Sequence, residues 1–350
     1  MIRLEYIAQR NLLFALTLAI VFTPQSIFAQ TTEQQKVNEM AKVYGYFLGQ
    51  KYTVDYIKQE FPSSSVRLDL AILEWKTRFY PSIEYVIKYI ETHHPADFIQ
   101  IDQSIRKSIP DQIQPYLSAL SINNIEGTIS EIEARGKGIL QSPFLELFLK
   151  YHPKYIKNPT LEYVDKYIQV YESNGSGKSK GLKLRFKVPL SWEKAEAERP
   201  NVIIKYSSNR NGEFSQFNCT VIDATQLMKD EGIKGATVES ELSPELNQGF
   251  ADDLVKDFGG TKASKVRNIT IDNHPSLCFV YDMSMERAGN KVNAKAFTCL
   301  TFFRNYMIYF TMMVGSSEDP EKLPINVDGQ YQLFNRMLND IVILSQYVGN

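Results

Sequence analysis

The chain has 350 residues, and its 39 Lys and Arg residues nearly balance its 40 Asp and Glu residues. Apolar residues make up 43% of the composition, which excludes a low-hydrophobicity disordered chain and a collagen-like repeat. A protein dedicated to nucleic acid normally carries a basic surplus that neutralises phosphates. We therefore expect a globular protein with no nucleic-acid partner, and the length fits two domains of ordinary size.

The first 29 residues have the pattern of an export signal. Arg3 and Arg10 flank a short polar start, an apolar run follows at residues 12–22, and Ala29 offers a small residue for cleavage. The apolar run has about half the length that a membrane-spanning helix needs. We therefore predict a signal peptide over residues 1–29, a mature protein without a stable membrane span, and a periplasmic or extracellular location.

Residues 30–173 show the periodicity of an all-helical domain. Leu68, Trp75 and Phe79 fall on one face of a predicted helix, and Pro81 is expected to open the next one. Further helices are predicted over residues 97–108, 111–120, 144–151 and 161–172, with prolines between them.

The pattern changes after residue 173. Residues 174–181 (NGSGKSKG) are small and polar, so we interpret them as a linker between domains. Beyond them, apolar and polar positions alternate, and strands are predicted over residues 182–188, 202–206, 213–222, 266–271, 277–285, 292–303 and 306–314. Helices are expected from Ser243-Pro244 and near the C-terminus. The order predicts an α+β protein, with an all-helical domain at 30–173 followed by an antiparallel sheet domain at 182–350.

A hairpin in this second domain has a register that charge pairing can predict. A two-residue turn at residues 288–289 places Asp282 opposite Lys295 and gives the hairpin one apolar face. The same register places Cys278 opposite Cys299. In an oxidising compartment these two residues are candidates for a disulfide, although facing free thiols also occur.

Patterns for nucleotide binding and acyl-serine chemistry are incomplete. The segment NGSGKS at residues 174–179 resembles the end of a phosphate-binding loop, but the position that requires the first glycine is Glu172. The S-x-x-K matches that begin at Ser104 and Ser191 lack the accompanying K-T-G and S-D-N elements. We therefore predict no catalytic residues and no cofactor site.

The histidines and cysteines also lack metal-binding spacing. His93 and His94 are adjacent, so a helix would point them in different directions. His274 and Cys278 are about 13 Å apart on an extended strand, too far for a nucleophile and its base. Cys219 is expected to be a small buried strand residue. No metal ligands are predicted.

Three features of the second half occur together. These are an opening strand with Pro and Trp at residues 186–192 (FKVPLSW), the hairpin, and residues 271–275 (IDNHP) before long strands and a terminal helix. In this combination residues 182–346 resemble the PsbP-like fold, which implies an α/β/α sandwich around an antiparallel sheet and a non-catalytic binding or assembly role. The whole chain is also similar to exported bacterial proteins of undefined function.

Export and the lack of a complete catalytic pattern lead to one functional expectation. We expect a non-enzymatic binding or assembly module of the bacterial envelope, with an unidentified protein partner. One alternative is a small-ligand-binding protein with a pocket between the helical domain and the sheet. Another is a hydrolase of unknown type.

Overall fold

The computed structural model describes residues 33–122, 125–139, 144–210, 213–230, 237–243, 246–287, 290–316 and 326–347. The predicted signal peptide lies outside these residues. The described chain divides between Lys157 and Asn158 into two compact units. We call them the helical unit (described residues up to 157) and the sheet unit (described residues from 158).

The described part of the helical unit begins with three long helices and ends with shorter ones. They are α1 (Glu33–Glu60), α2 (Ser65–His93), α3 (Pro95–Leu117), α4 (Ile125–Gly136), α5 (Phe144–Lys150) and α6 (Pro153–Lys157). Pro81 and Pro110 were expected to separate helices, but they lie inside α2 and α3. A proline inside a helix removes one backbone hydrogen bond. The continuous core contacts of Phe79, Ile83 and Val86 on both sides of Pro81 offset this cost in α2.

Two apolar clusters hold the helical unit together. In the larger cluster, Trp75 and Phe79 of α2 pack with Phe148 of α5 and with apolar residues of α1. In the smaller cluster, Ile129 and Ile132 of α4 pack against the first half of α2 and the end of α1. The predicted helical stripe of Leu68, Trp75 and Phe79 is therefore the buried face of α2.

The sheet unit begins with a short helix, α7 (Thr160–Val164). Its strands are β1 (Ile168–Glu172), β2 (Arg185–Pro189), β3 (Glu193–Ala195), β4 (Val202–Arg210), β5 (Glu213–Asp223), β6 (Ser264–Ile271), β7 (His274–Arg287), β8 (Asn290–Phe303) and β9 (Tyr306–Ser316). Its later helices are α8 (Thr225–Asp230), α9 (Val238–Leu242), α10 (Gln248–Asp257) and α11 (Val327–Asn339). Pro244 lies outside the described residues, and α10 instead begins after Asn247, whose side chain caps it.

The main sheet has seven antiparallel strands in the order β3-β4-β5-β9-β8-β7-β6. Both faces are buried, as alternate residues of β9 show. Phe310 and Met312 enter a core shared with β2 and α11, whereas Tyr309 and Met313 enter a core shared with α9 and α10. Because helices cover both faces, the unit is an α/β/α sandwich and the chain has the predicted α+β fold.

The predicted hairpin register is confirmed. Asp282 pairs with Lys295 and Cys278 pairs with Cys299 across β7 and β8. The turn residues at 288–289 lie outside the described residues. The register could be predicted because the charge pairs on one face and the apolar residues on the other both require it. A one-residue slip would move every apolar side chain to the opposite face of the sheet.

Two expectations for residues 161–181 are wrong. The helix predicted over 161–172 ends at Val164, Lys166 takes a positive φ of 67°, and β1 follows. Residues 174–181 do not separate the compact units, because they connect β1 to β2, which pair with each other inside the sheet unit. Small polar residues serve hairpin connections as well as linkers, so composition alone did not distinguish the two.

Candidate functional site

A cleft of about 400 Å³ opens in the sheet unit where β1 ends. Its apolar lining residues are Tyr171, Ala197 and Ile203, and most of the others are polar. The lining residues are Tyr171, Glu172, Ser173, Asn174, Ser176, Lys178, Ser179, Glu196, Ala197 and Ile203. Concave sites that combine an apolar wall with a few polar groups are typical of ligand binding.

The connection between β1 and β2 forms one wall of the cleft. Ser173 shapes its base, since its hydroxyl donates to the carbonyl of Leu182 at 2.9 Å and accepts from the backbone N–H of Leu184 at 2.9 Å. Gly175 takes a φ of +86°, and its carbonyl accepts from the N–H of Gly181 at 2.7 Å. The left-handed backbone at Gly175 explains why a glycine suits this position.

Two lysines of the same connection fasten it to the segment that follows β3. The ammonium of Lys178 donates to the carbonyl oxygen of Ala197. The ammonium of Lys180 donates to Oδ1 of Asn201 at 2.6 Å. The segment that resembled a phosphate-binding loop therefore uses Lys178 to close one end of the cleft.

Charges of both signs surround the cleft. The carboxylates of Glu172 and Glu196 are exposed at its rim. Arg199 and Lys205 each follow a lining residue, Ala197 or Ile203, by two positions. Burial lowers the pKa of Arg199 to about 10 and also lowers the pKa of Lys205. Burial also raises the pKa of Tyr171. The neutral phenol and the mixed charges suit a ligand that carries both hydrogen-bond donors and acceptors.

Ser191, one of the S-x-x-K serines, belongs to a buried ionic cluster beside α7. Its hydroxyl donates to Oε2 of Glu162 at 2.9 Å, and its backbone N–H donates to Oε1 at 2.8 Å. Arg210 donates to the same carboxylate and to the Ser191 hydroxyl. Lys194 lies instead over the ring of Tyr171, with its ammonium 5.7 Å from the ring centroid. The sequence match therefore does not bring Ser191 and Lys194 together.

His274 occupies a polar cluster at the edge of the sheet. Its Nδ1 is 2.7 Å from Oε1 of Glu239, and its Nε2 is 3.0 Å from Oε1 of Gln346. The amide nitrogen of Gln346 donates to Asp272, whose other carboxylate oxygen accepts from Tyr347 at 2.7 Å. Local sequence patterns do not predict this cluster, because its members come from separate segments of the chain.

His93 and His94, near the end of α2, face different groups. Nδ1 of His93 lies 2.9 Å from the carbonyl of Tyr89, and Nε2 of His94 lies 3.0 Å from Glu33, so the two rings face different groups. Among the described residues, no group of three or more His, Cys, Asp or Glu side chains could hold a metal ion. Within the same ranges, no helix is both long and apolar enough to cross a membrane.

The cysteines are separated into a pair and a single thiol. The structure joins Cys278 to Cys299 as a disulfide between β7 and β8. Cys219 is completely buried in β5, and its burial raises the pKa of the thiol. A buried thiol of this kind is unreactive, because the thiolate is the nucleophilic form.

We predict that the protein contains the Cys278–Cys299 bond and one free thiol. The bond closes a loop with a sequence separation of 21, and a loop of this size contributes about 3 kcal/mol to stability. Peptide mass mapping without reduction should show the linked pair, and alkylation should modify Cys219 only after unfolding. A Cys219→Ala variant serves as the control, since it should retain the bond. Three alkylated thiols in the unfolded, unreduced protein would contradict the prediction.

These observations define a class of protein: a two-unit α+β chain whose sheet unit is an α/β/α sandwich with a polar-rimmed cleft. No family model matches the chain, and no curated protein sequence matches it either.

Solved structures do show similarity to about half of the chain. The Ran-binding protein Mog1p of Saccharomyces cerevisiae is 12% identical, with 52% of this chain and 98% of that chain covered and a TM-score of 0.33. Protein PA94 of Pseudomonas aeruginosa, a putative regulator of unknown function, is 13% identical. The match covers 50% of this chain and 96% of that chain, with a TM-score of 0.27. LpqN of Mycobacterium tuberculosis, involved in cell envelope biogenesis, is 12% identical. The match covers 51% of this chain and 92% of that chain, with a TM-score of 0.29. No function is carried over from these similarities, and the PsbP-like assignment stays a prediction.

Proposed function

We propose that the protein is an exported, non-catalytic binding module with a PsbP-like sheet unit, and that its cleft takes a peptide segment of an envelope protein. The observation that carries the proposal is the combination of an apolar wall at Tyr171 and Ile203 with exposed carboxylates at Glu172 and Glu196. A peptide offers the matching groups, because its backbone carries N–H donors and its side chains fill apolar space.

The position of β1 supports an extended peptide. Within the described chain, β1 pairs with β2 alone, so its second edge carries no strand. Val170, in the middle of β1, is 55% exposed. An extended segment that adds to such an edge gains main-chain hydrogen bonds, while a neighbouring cleft selects its side chains. The cleft begins where β1 ends, which is the placement that this mode of binding requires.

The hydrogen bonds of the candidate nucleophiles support a non-catalytic role. The hydroxyl of Ser191 is buried against Glu162 and Arg210, and the imidazole of His274 lies between Glu239 and Gln346. Neither side chain lines the cleft. In this arrangement the reactive side chains hold the fold together, and the cleft supplies recognition.

The proposal is tested by measuring binding to a library of short peptides, with free amino acids, sugars and nucleotides as contrasting classes. We expect peptides to raise the melting temperature of the wild type. Ser176→Trp should abolish this shift, because Ser176 is an exposed lining residue and a bulky side chain there fills the cleft. Thr270→Trp is the control, since Thr270 is exposed on the edge strand β6, away from the cleft.

Three results would contradict the proposed peptide site, and each points to a different alternative. Binding of peptides that survives Ser176→Trp would place the site elsewhere. Binding of sugars or nucleotides alone would favour a small-ligand-binding protein. Turnover of an esterase or peptidase substrate panel that Ser191→Ala or His274→Ala removes would identify a hydrolase and overturn the proposal.

A further inference from the structure

Helix α2 carries a second apolar stripe, on a face that the fold leaves in solvent. Val66, Leu70 and Leu73 are 74%, 62% and 61% exposed, and Tyr80 is 36% exposed. Thr77 completes the series, so the spacing along the helix is four, three, four and three. This spacing is the a/d pattern of a heptad repeat, in which the apolar positions of one helix pack against another helix.

The exposed stripe is separate from the face that builds the core. Leu68, Ala71 and Trp75 are at most 3% exposed and pack inside the helical unit. A surface helix of a globular protein needs only one apolar face. Three large aliphatic side chains left in water at heptad spacing therefore mark an interaction surface.

The surroundings of the stripe favour a helix as its occupant over a lipid surface. A strict a/d stripe is narrow, and here it is flanked by Asp69 and Lys76 on one side and by Arg67 and Glu74 on the other. Helices that lie on membranes usually carry a broad apolar face with an excess of Lys and Arg. The flanks of α2 instead carry equal numbers of both signs.

Charge complementarity identifies the partner helix as α2 of a second copy, in antiparallel orientation. A two-fold axis between residues 71 and 72 places Leu70 against Leu73 of the second copy and Val66 against Thr77. The same axis places Asp69 beside Lys76 of the second copy, in both halves of the interface. A parallel pairing would place Asp69 beside Glu74, which repels it. Asp69 also pairs with Lys58 of its own chain, so Lys76 would join an existing ion pair.

We propose that this protein forms an antiparallel homodimer through the exposed stripe of α2. The arrangement is isologous, because the same surface is used by both copies. Three aliphatic side chains and Tyr80 from each copy bury an area near the lower limit of specific interfaces, which is about 1,000 Å² in total. We therefore expect a dimer that dissociates in the micromolar range. This surface lies in the helical unit, and the inference does not depend on the cleft of the sheet unit.

Sedimentation velocity over a concentration series tests the proposal on the chain that begins at Gln30. The wild type should change from monomer to dimer as the concentration rises, and Leu70→Glu should remain monomeric. Ile99→Glu is the matched control, because Ile99 is 58% exposed on α3 but lies outside the stripe, so this variant should still dimerise. Far-ultraviolet circular dichroism and tryptophan fluorescence verify that each variant is folded.

A charge swap tests the orientation. Lys76→Glu alone should weaken the dimer about tenfold, because it places a like charge beside Asp69 of the second copy in both halves of the interface. Adding Asp69→Lys together with Lys58→Glu should restore the dimer, because this swap recreates the opposite-charge pair between copies and the pair within each chain. Failure of this triple variant to recover would overturn the antiparallel register.

Two results would overturn the dimer itself. One is a wild type that stays monomeric at its highest soluble concentration. The other is a dimer that Leu70→Glu leaves unchanged. Binding of the monomeric wild type to phosphatidylglycerol vesicles, with loss of binding in Leu70→Glu, would assign the stripe to a lipid surface instead.

Discussion

Replacing Glu162 with glutamine is expected to lower the free energy of unfolding of the sheet unit by about 3–5 kcal/mol. Glu162 is fully buried, and its carboxylate is the counter-charge of Arg210, which is 9% exposed. Both oxygens also accept hydrogen bonds from Ser191, which begins the turn toward β3. Loss of the negative charge removes the group that neutralises a buried guanidinium, so the cost far exceeds that of an exposed ion pair.

The chain has two tryptophans, one in each compact unit, so the loss of stability can be measured in the sheet unit alone. Trp75 lies in the helical unit and Trp192 in the sheet unit, so urea unfolding in a Trp75→Phe background reports on Trp192 alone. Asp253→Asn is the matched control, because it breaks an exposed pair with Lys256 in the same unit and should change stability little.

A double replacement distinguishes a missing counter-charge from simple loss of packing. Glu162→Gln combined with Arg210→Met removes both charges and keeps a hydrogen-bond acceptor for Ser191, so it should recover most of the stability lost in Glu162→Gln alone. A Glu162→Gln variant as stable as the Asp253→Asn control would show that the buried pair contributes no more than a surface pair.

Trp75→Ala is expected to lower the free energy of unfolding of the helical unit by about 3–5 kcal/mol. The indole is 1% exposed and packs parallel to Phe47, with the ring centroids 5.9 Å apart, and edge-on to Phe148, also at 5.9 Å. Alanine would leave a cavity at the point where α1, α2 and α5 meet. The unfolding is followed by circular dichroism, since the helical unit loses its tryptophan in this variant.

Trp75→Phe should cost much less than Trp75→Ala. Phenylalanine keeps most of the aromatic contact, and it also removes the indole N–H, which has no hydrogen-bond partner among the described residues. A buried donor without a partner is unfavourable, so its removal offsets part of the lost volume. Ile99→Ala, at an exposed site, is the control with little expected change. Equal losses for the phenylalanine and alanine variants would contradict this explanation.

The sequence predicted best where two independent signals agreed. In the hairpin of β7 and β8, the charge pair Asp282–Lys295 and the apolar alternation both required one register, and the structure has that register. The buried stripe of α2 was predicted for a similar reason, because Leu68, Trp75 and Phe79 repeat at helical spacing.

Prediction failed where one local pattern fits two structures. Residues 161–172 contain the end of a short helix and then the alternating sequence of β1. The change occurs near Lys166, and no local sequence pattern predicts the positive φ of this residue. The prolines at 81 and 110 have strong local effects, yet the core contacts of α2 and α3 keep both helices continuous.

The cleft could not be predicted, because its walls come from residues 171–179 and from residues 196–203, which meet only in the folded sheet unit. The ionic cluster of Glu162, Ser191 and Arg210 has the same origin, with partners 29 and 48 residues apart. Ser191 matches half of an S-x-x-K motif with Lys194, and nothing in the local sequence indicates its partner on α7.

The amino-acid sequence by itself determined the helical and sheet character of the two halves, the hairpin register and the facing cysteines, because periodicity and turn length are properties of neighbouring residues. Only the tertiary structure decided that a second apolar stripe of α2 stays exposed, where Lys178 binds, and which charges pair in the interior. Those outcomes depend on contacts between segments that are distant in the chain. The local sequence does not show that Leu70 is exposed or that Ser191 binds Glu162, and the folded structure shows both.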